Sequence, residues 1–106
     1  MTLFAKRKND YQSNIPYFVE KTKEYLSQGL SRKEARRRLR SDSRVQSYGI
    51  DPMTIILIIK ICLLVWDWFK NRKADPKTTE VPSILLEVSD DHFRDDSDFT
   101  DDDDNE

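Results

Sequence analysis

The sequence predicts an all-α protein: a basic helical hairpin, then one long apolar helix, then a disordered acidic tail. Three observations predict it. From Met53 to Phe69, 14 of 17 residues are apolar or aromatic, interrupted only by Thr54, Lys60 and Asp67, a run far too long for an ordinary strand. Helix start and stop signals bracket that run and the segment before it. Charge is also sorted along the chain. Residues 1–52 hold twelve basic and six acidic side chains, residues 53–76 four and two, and residues 77–106 two and twelve. The formal net charge of −2 therefore hides a cationic head, an apolar middle and an anionic tail.

Residues 1–14 read as a flexible basic N-terminus and residues 15–50 as the hairpin. Pro16 opens its first helix, with Phe18, Thr22, Tyr25 and Leu26 on one face, and Gly29 follows where a C-terminal cap needs a left-handed residue. Ser31 and Glu34 then have the spacing of a capping box, in which the hydroxyl covers free N–H groups of the next helix. That helix, Arg32 to about Arg44, is basic with only Ala35 and Leu39 as an apolar stripe. So lean a hairpin needs a partner or surface to dock on.

Residues 51–75 form the long apolar helix. Asp51 is its N-cap, Pro52 takes the first helical position, Lys70, Arg72 and Lys73 complement the dipole at its end, and Pro76 stops it. From Pro52 to Ala74 there are 23 residues, about 34 Å of helix. Residues 76–106 read as a largely disordered acidic tail containing a short apolar island, VPSILLEV, at 81–88.

Several function classes are excluded by composition. With 36% charged and 37% hydrophobic residues, against usual values of roughly 25% and 45–50%, the chain cannot fill a large core. One Cys rules out an internal disulfide framework, and one Cys with one His cannot make an ordinary N/S zinc site. Cys62 lies in the apolar helix and His92 in the tail, and the only glycines are Gly29 and Gly49, so neither a catalytic pocket nor a phosphate-binding loop is expected. A calcium loop starting at Asp96 would carry Asp101 where glycine is needed and would run past Glu106. Polar sequence follows Met1 to Asp10, so no cleavable signal peptide is expected. The chain is expected to be no enzyme and to hold no cofactor or metal.

The apolar helix has three readings: a membrane span, a core helix of a protein assembly, or a helix lying in the membrane interface. Its length can cross a bilayer core of roughly 30 Å. Nine Ile, Leu and Val residues, at about −0.5 kcal/mol each, offset part of the cost of a central lysine, about +2.5 to +3.5 kcal/mol, and a less central aspartate, so insertion is expected to be marginal. Lys60 and Asp67 are seven apart and share a face that Asn71 extends, which points to helix association. Trp66, Trp68 and Phe69 followed by Lys70, Arg72 and Lys73 have the composition of an interfacial anchor. Basic residues flank the helix on both sides, so orientation stays open.

In the basic hairpin, Arg32, Lys33, Arg36, Arg37, Arg38 and Arg40 are candidates for contact with phosphate, either nucleic acid backbone or anionic headgroups. A solvated or protein-facing surface is the alternative. In the tail, Phe93 and Phe99 are candidate anchors that aspartates would steer toward a basic groove; otherwise the tail is a repelling brush.

The run YLSQGLSRKEARRRL at 25–39, the junction GIDPMTIILIIKI at 49–61 and the tail DDSDFTDDDDNE at 95–106 together resemble the small virion or membrane proteins of bacteriophages. The resemblance is one of style over the whole chain. It implies a structural or DNA-delivery role in a particle, located in a virion or at a membrane, or a holin-like lysis effector that oligomerises. A soluble adaptor whose apolar helix is buried in a partner is the remaining class. The expected partners are a membrane or larger protein assembly, non-specific nucleic acid, and further copies of the chain or other subunits.

Overall fold

The computed structural model describes residues 3–89, Tyr48 excepted, with side chains from Ala5 onward. Its helices are α1 (Leu3–Ser27), α2 (Arg32–Arg40), α3 (Ser43–Ser47), α4 (Pro52–Arg72) and the single turn α5 (Ser83–Leu86). Among the described residues there is no strand. The all-α architecture and the single long apolar helix match the expectation.

The first helix differs from it. α1 starts at Leu3 and runs through Pro16, so residues 3–14 are helical where a flexible segment was expected. An internal proline removes one backbone hydrogen bond, here the one to the Gln12 carbonyl, and costs roughly 3 kcal/mol in a helix. Pro16 and Gln12 are both exposed, so water can satisfy that carbonyl. Tyr11, Asn14, Ile15, Phe18, Val19 and Thr22 continue one buried face across the proline, and this packing holds the helix together. The Asn14 amide also donates to the Asp10 carbonyl at 2.7 Å.

Helices α1 and α4 lie side by side and parallel. Arg7 near the start of α1 pairs with Asp51, the N-cap of α4, at 3.0 Å. At the other end Leu26 shares a small cavity with Phe69 and Lys70. The connection between them, α2, therefore runs antiparallel to both: Arg32 at its start reaches Asp67, and Arg44 beyond its end donates to Asn14 at 3.1 Å. α4 packs on α1, on α2 and on α5, which supply the core around Leu57, Ile58, Ile61, Cys62, Leu63 and Trp66.

Local signals place the boundaries. Gly29 has φ +78, the left-handed conformation that glycine adopts at no steric cost. Asp51 accepts from the Met53 N–H at 3.0 Å, and Lys73, left-handed at φ 52, closes α4. The island at 81–88 also departs from the expectation of a disordered tail from residue 76. Val81, Leu86 and Val88 pack against the core, and the Tyr11 hydroxyl donates to the Leu86 carbonyl. An apolar island next to a half-covered helix is more stable buried than hydrated. It returns along α1: Pro76 and Lys77 lie by Glu20 and Lys23, and Val88 lies by Lys8 and Gln12.

Candidate functional site

The chemistry-bearing surface is built on α2. Its N-cap works as the sequence indicates, with Ser31 Oγ accepting from the Glu34 N–H at 3.1 Å. Glu34 has a further neighbour, Arg38, with Nε 4.0 Å from its carboxylate. The thin apolar stripe is real: Ala35 and Leu39 are both 0% exposed. The hairpin's expected docking partner is thus supplied within the chain, by α4 and α1.

This docking divides the six candidate phosphate-binding residues. Arg32 donates from Nε to Asp67 Oδ1 at 3.3 Å. Arg36 turns inward and is only 7% exposed. Arg38 stands beside Glu34. Lys33, Arg37, Arg38 and Arg40 are exposed, and of these Lys33, Arg37 and Arg40, at a spacing of four and three residues, fall on one side of α2 within about 60° of each other. They extend over roughly 10 Å of helix axis. A nucleic acid duplex carries a charge every 1.7 Å or so along its axis, so such a stripe meets phosphates in any register. It carries no geometry for reading bases.

Another basic residue, Arg44 in α3, is used structurally. Its guanidinium lies 4.1 Å from the centre of the Tyr17 ring and donates to Asn14. The Tyr17 hydroxyl donates to Asp42 at 3.0 Å, and Asp42 also accepts the Arg44 N–H at 2.9 Å. Burial first, and then the hydrogen bond to Asp42, push the Tyr17 pKa up. This cluster, which pins α3 to α1, is formed by residues far apart in the chain, and no local pattern announces it.

On α4 the residues expected at a membrane interface divide in the same way. Trp66 and Phe69 are core residues, 3% and 2% exposed. Trp68 is half-buried, meets Phe69 edge to face at 5.0 Å, and lies under Arg72 at 5.3 Å. Lys70 sits 5.5 Å over the Trp66 ring, and Lys73 is the helix cap. Lys60 and Asp67 fall on the least covered side of α4, both half-buried. Cys62 is completely buried beside Thr22, and burial pushes its thiol up to about 12, which makes it unreactive. Among the described residues no group of His, Cys, Asp and Glu is arranged to hold a metal. Phe93, Phe99 and His92 lie outside the described residues.

α4 is long and apolar enough to cross a membrane. No family model matches this chain, and no curated protein or solved structure matches it either.

Proposed function

We propose that this chain is a non-enzymatic structural protein that holds nucleic acid by its phosphate backbone on the outer stripe of α2, with α4 as the core on which that helix is mounted. The resemblance drawn from the sequence would set this role in a virion. The observation that carries the reading is the exposure of Lys33, Arg37 and Arg40 along one side of a helix whose other side is fixed by Ala35, Leu39 and the Arg32–Asp67 pair. Three cations on a helix that is already docked attract phosphate without the cost of ordering its backbone, and their number sets the salt dependence.

Titration of a random-sequence DNA duplex against salt tests this. Replacing Lys33, Arg37 and Arg40 together by Gln lowers the slope of log affinity against log salt by about 2 to 3. Arg32→Gln, which removes a guanidinium engaged by Asp67, changes it little. An unchanged slope in the triple variant sinks the reading.

A second reading is favoured by the length of α4: 21 residues make about 31 Å of helix. As a membrane span, with a holin-like effector as its sharpest form, α4 would leave its wrapping of α1 and α2. Carbonate-resistant pelleting, with toxicity on expression that Leu63→Asp abolishes, would favour it. The burial of ten α4 residues within the chain itself supports the first reading, and it also lowers the need for another protein's groove.

A further inference from the structure

Among the described residues, α1, α2 and α5 leave one side of α4 without a buried residue. Met53, Ile56, Lys60, Leu64, Asp67 and Asn71 occupy that side, at steps of three and four residues that trace a continuous seam along the helix. Leu64, at its middle, is 52% exposed. A half-exposed leucine between a cation and an anion, each one helical turn away, is an unusual surface, and its order has a property of its own.

We propose that this seam docks against the same seam of a second copy of the chain, with the two α4 helices antiparallel about a two-fold axis beside Leu64. Antiparallel superposition sets Lys60 of each copy opposite Asp67 of the other. Ile56 then faces Asn71, and the two Leu64 side chains meet at the centre. A two-fold interface repeats every contact, so one alignment makes two ion pairs, roughly 10 Å apart, around an apolar centre. The parallel alignment sets lysine on lysine and aspartate on aspartate. Charge therefore selects one orientation, while Met53, Ile56 and Leu64 supply the apolar area. The Asp67 side chain is 46% exposed and uses Oδ1 to receive Arg32, and a carboxylate has acceptor sites for a further donor. The occupant is a second copy because the seam complements itself.

Sedimentation equilibrium of the full chain tests this. The wild type shows a concentration-dependent monomer–dimer equilibrium. Leu64→Glu raises the dimer dissociation constant at least tenfold with unchanged helical circular dichroism, since the side chain is already half in water. Lys60→Glu does the same by setting Glu against Asp67, and adding Asp67→Lys together with Arg32→Glu, which keeps an ion pair between α2 and α4, restores the dimer because the pairs re-form with signs exchanged. Leu64→Cys becomes cross-linkable by a short bifunctional thiol reagent, and buried Cys62 does not. A wild type that is monomeric up to roughly 1 mM, a dimer indifferent to Leu64→Glu, or a charge reversal with the Arg32 pair preserved that fails to rescue would each overturn the proposal. Seating of the seam in lipid, read as carbonate-resistant pelleting of the wild type, would overturn it as well.

Discussion

Helices α2 and α4 pack on each other, and their means of support differ. In α4, ten of 21 residues are buried, among them Leu57, Ile58, Leu63, Trp66 and Phe69, and its burial would hold it in place with little help from its ends. In α2, three of nine are buried, and these are Ala35, Arg36 and Leu39. Four arginines within five positions, Arg36 to Arg40, repel one another and add to the cost of forming the helix. Among the supports of α2 are Ala35 and Leu39, buried Arg36, the Ser31 cap and the Arg32–Asp67 pair to α4. The difference teaches that the cationic surface of this protein is borrowed: it exists because α4 has apolar area to lend.

The sharpest way to break that contrast is to cut one large side chain from each helix. Phe69→Ala lowers stability by about 3–5 kcal/mol and Leu39→Ala by about 2–5 kcal/mol. Their signatures separate them. Phe69→Ala shifts the whole urea unfolding curve, with α1, α2 and α4 losing amide protection together. Leu39→Ala raises exchange in residues 32–40 ahead of α1 and α4, and weakens DNA binding in step, since α2 loses its only large apolar anchor. Exchange that rises equally in all three helices after Leu39→Ala would mean that α2 is as much a part of the core as α4.

The two helices were also unequally legible. α4 was readable because its signal is local: an apolar run, Asp51 and Pro52 at the front, cations at the rear. The ends of α2 were readable for the same reason, from Ser31, Glu34 and Gly29. Which arginines face outward was not, because Arg32 and Arg36 are turned toward the body of the protein by the angle at which α2 lies on α4, and that angle is set by contacts across thirty or more residues of chain. The continuation of α1 through Pro16 was hidden by a strong local breaker that burial of Tyr11, Ile15 and Phe18 outweighs. The return of 81–88 was hidden by the acidic sequence around it. In each case a local signal lost to a tertiary contact.

A smaller effect sharpens the comparison from the side of α4's cover. The Tyr11 hydroxyl ties the 81–88 segment to α1, and burial, with the neighbouring Cys62 adding to it, holds its pKa well above the ordinary tyrosine value of 10.0. Tyr17 and Tyr25 are raised too, in each case first by burial. Below pH 10 these hydroxyls are protonated whether the chain is folded or not, and through them stability does not vary with pH. Above pH 10 the unfolded chain releases protons that the folded chain keeps, so stability falls as pH rises. Tyr11→Phe costs about 1 kcal/mol at neutral pH from the lost hydrogen bond and makes the alkaline fall shallower. Urea midpoints measured between pH 8 and pH 11 check both, and a fall of equal steepness in the variant would remove Tyr11 from the account.

The smallest expected effect concerns the cap of α2. Ser31→Ala removes the hydroxyl that accepts the Glu34 N–H and costs about 1 kcal/mol. The comparable cap of α4, Asp51, also pairs with Arg7, whose side chain is 6% exposed, so Asp51→Ala takes an ion pair from a buried cation and costs more than the cap alone. In α2 the loss stays local. The first turn frays and Lys33 loses its place in the stripe, while Arg37 and Arg40, flanking Leu39, keep theirs. DNA affinity then drops a few-fold at most, and amide exchange accelerates at residues 32–35 ahead of residues 36–40. If Ser31→Ala instead destabilises the protein as much as Leu39→Ala, the helix is held from its end and not from its anchor. The rigidity of the cationic stripe would then rest on a single hydroxyl.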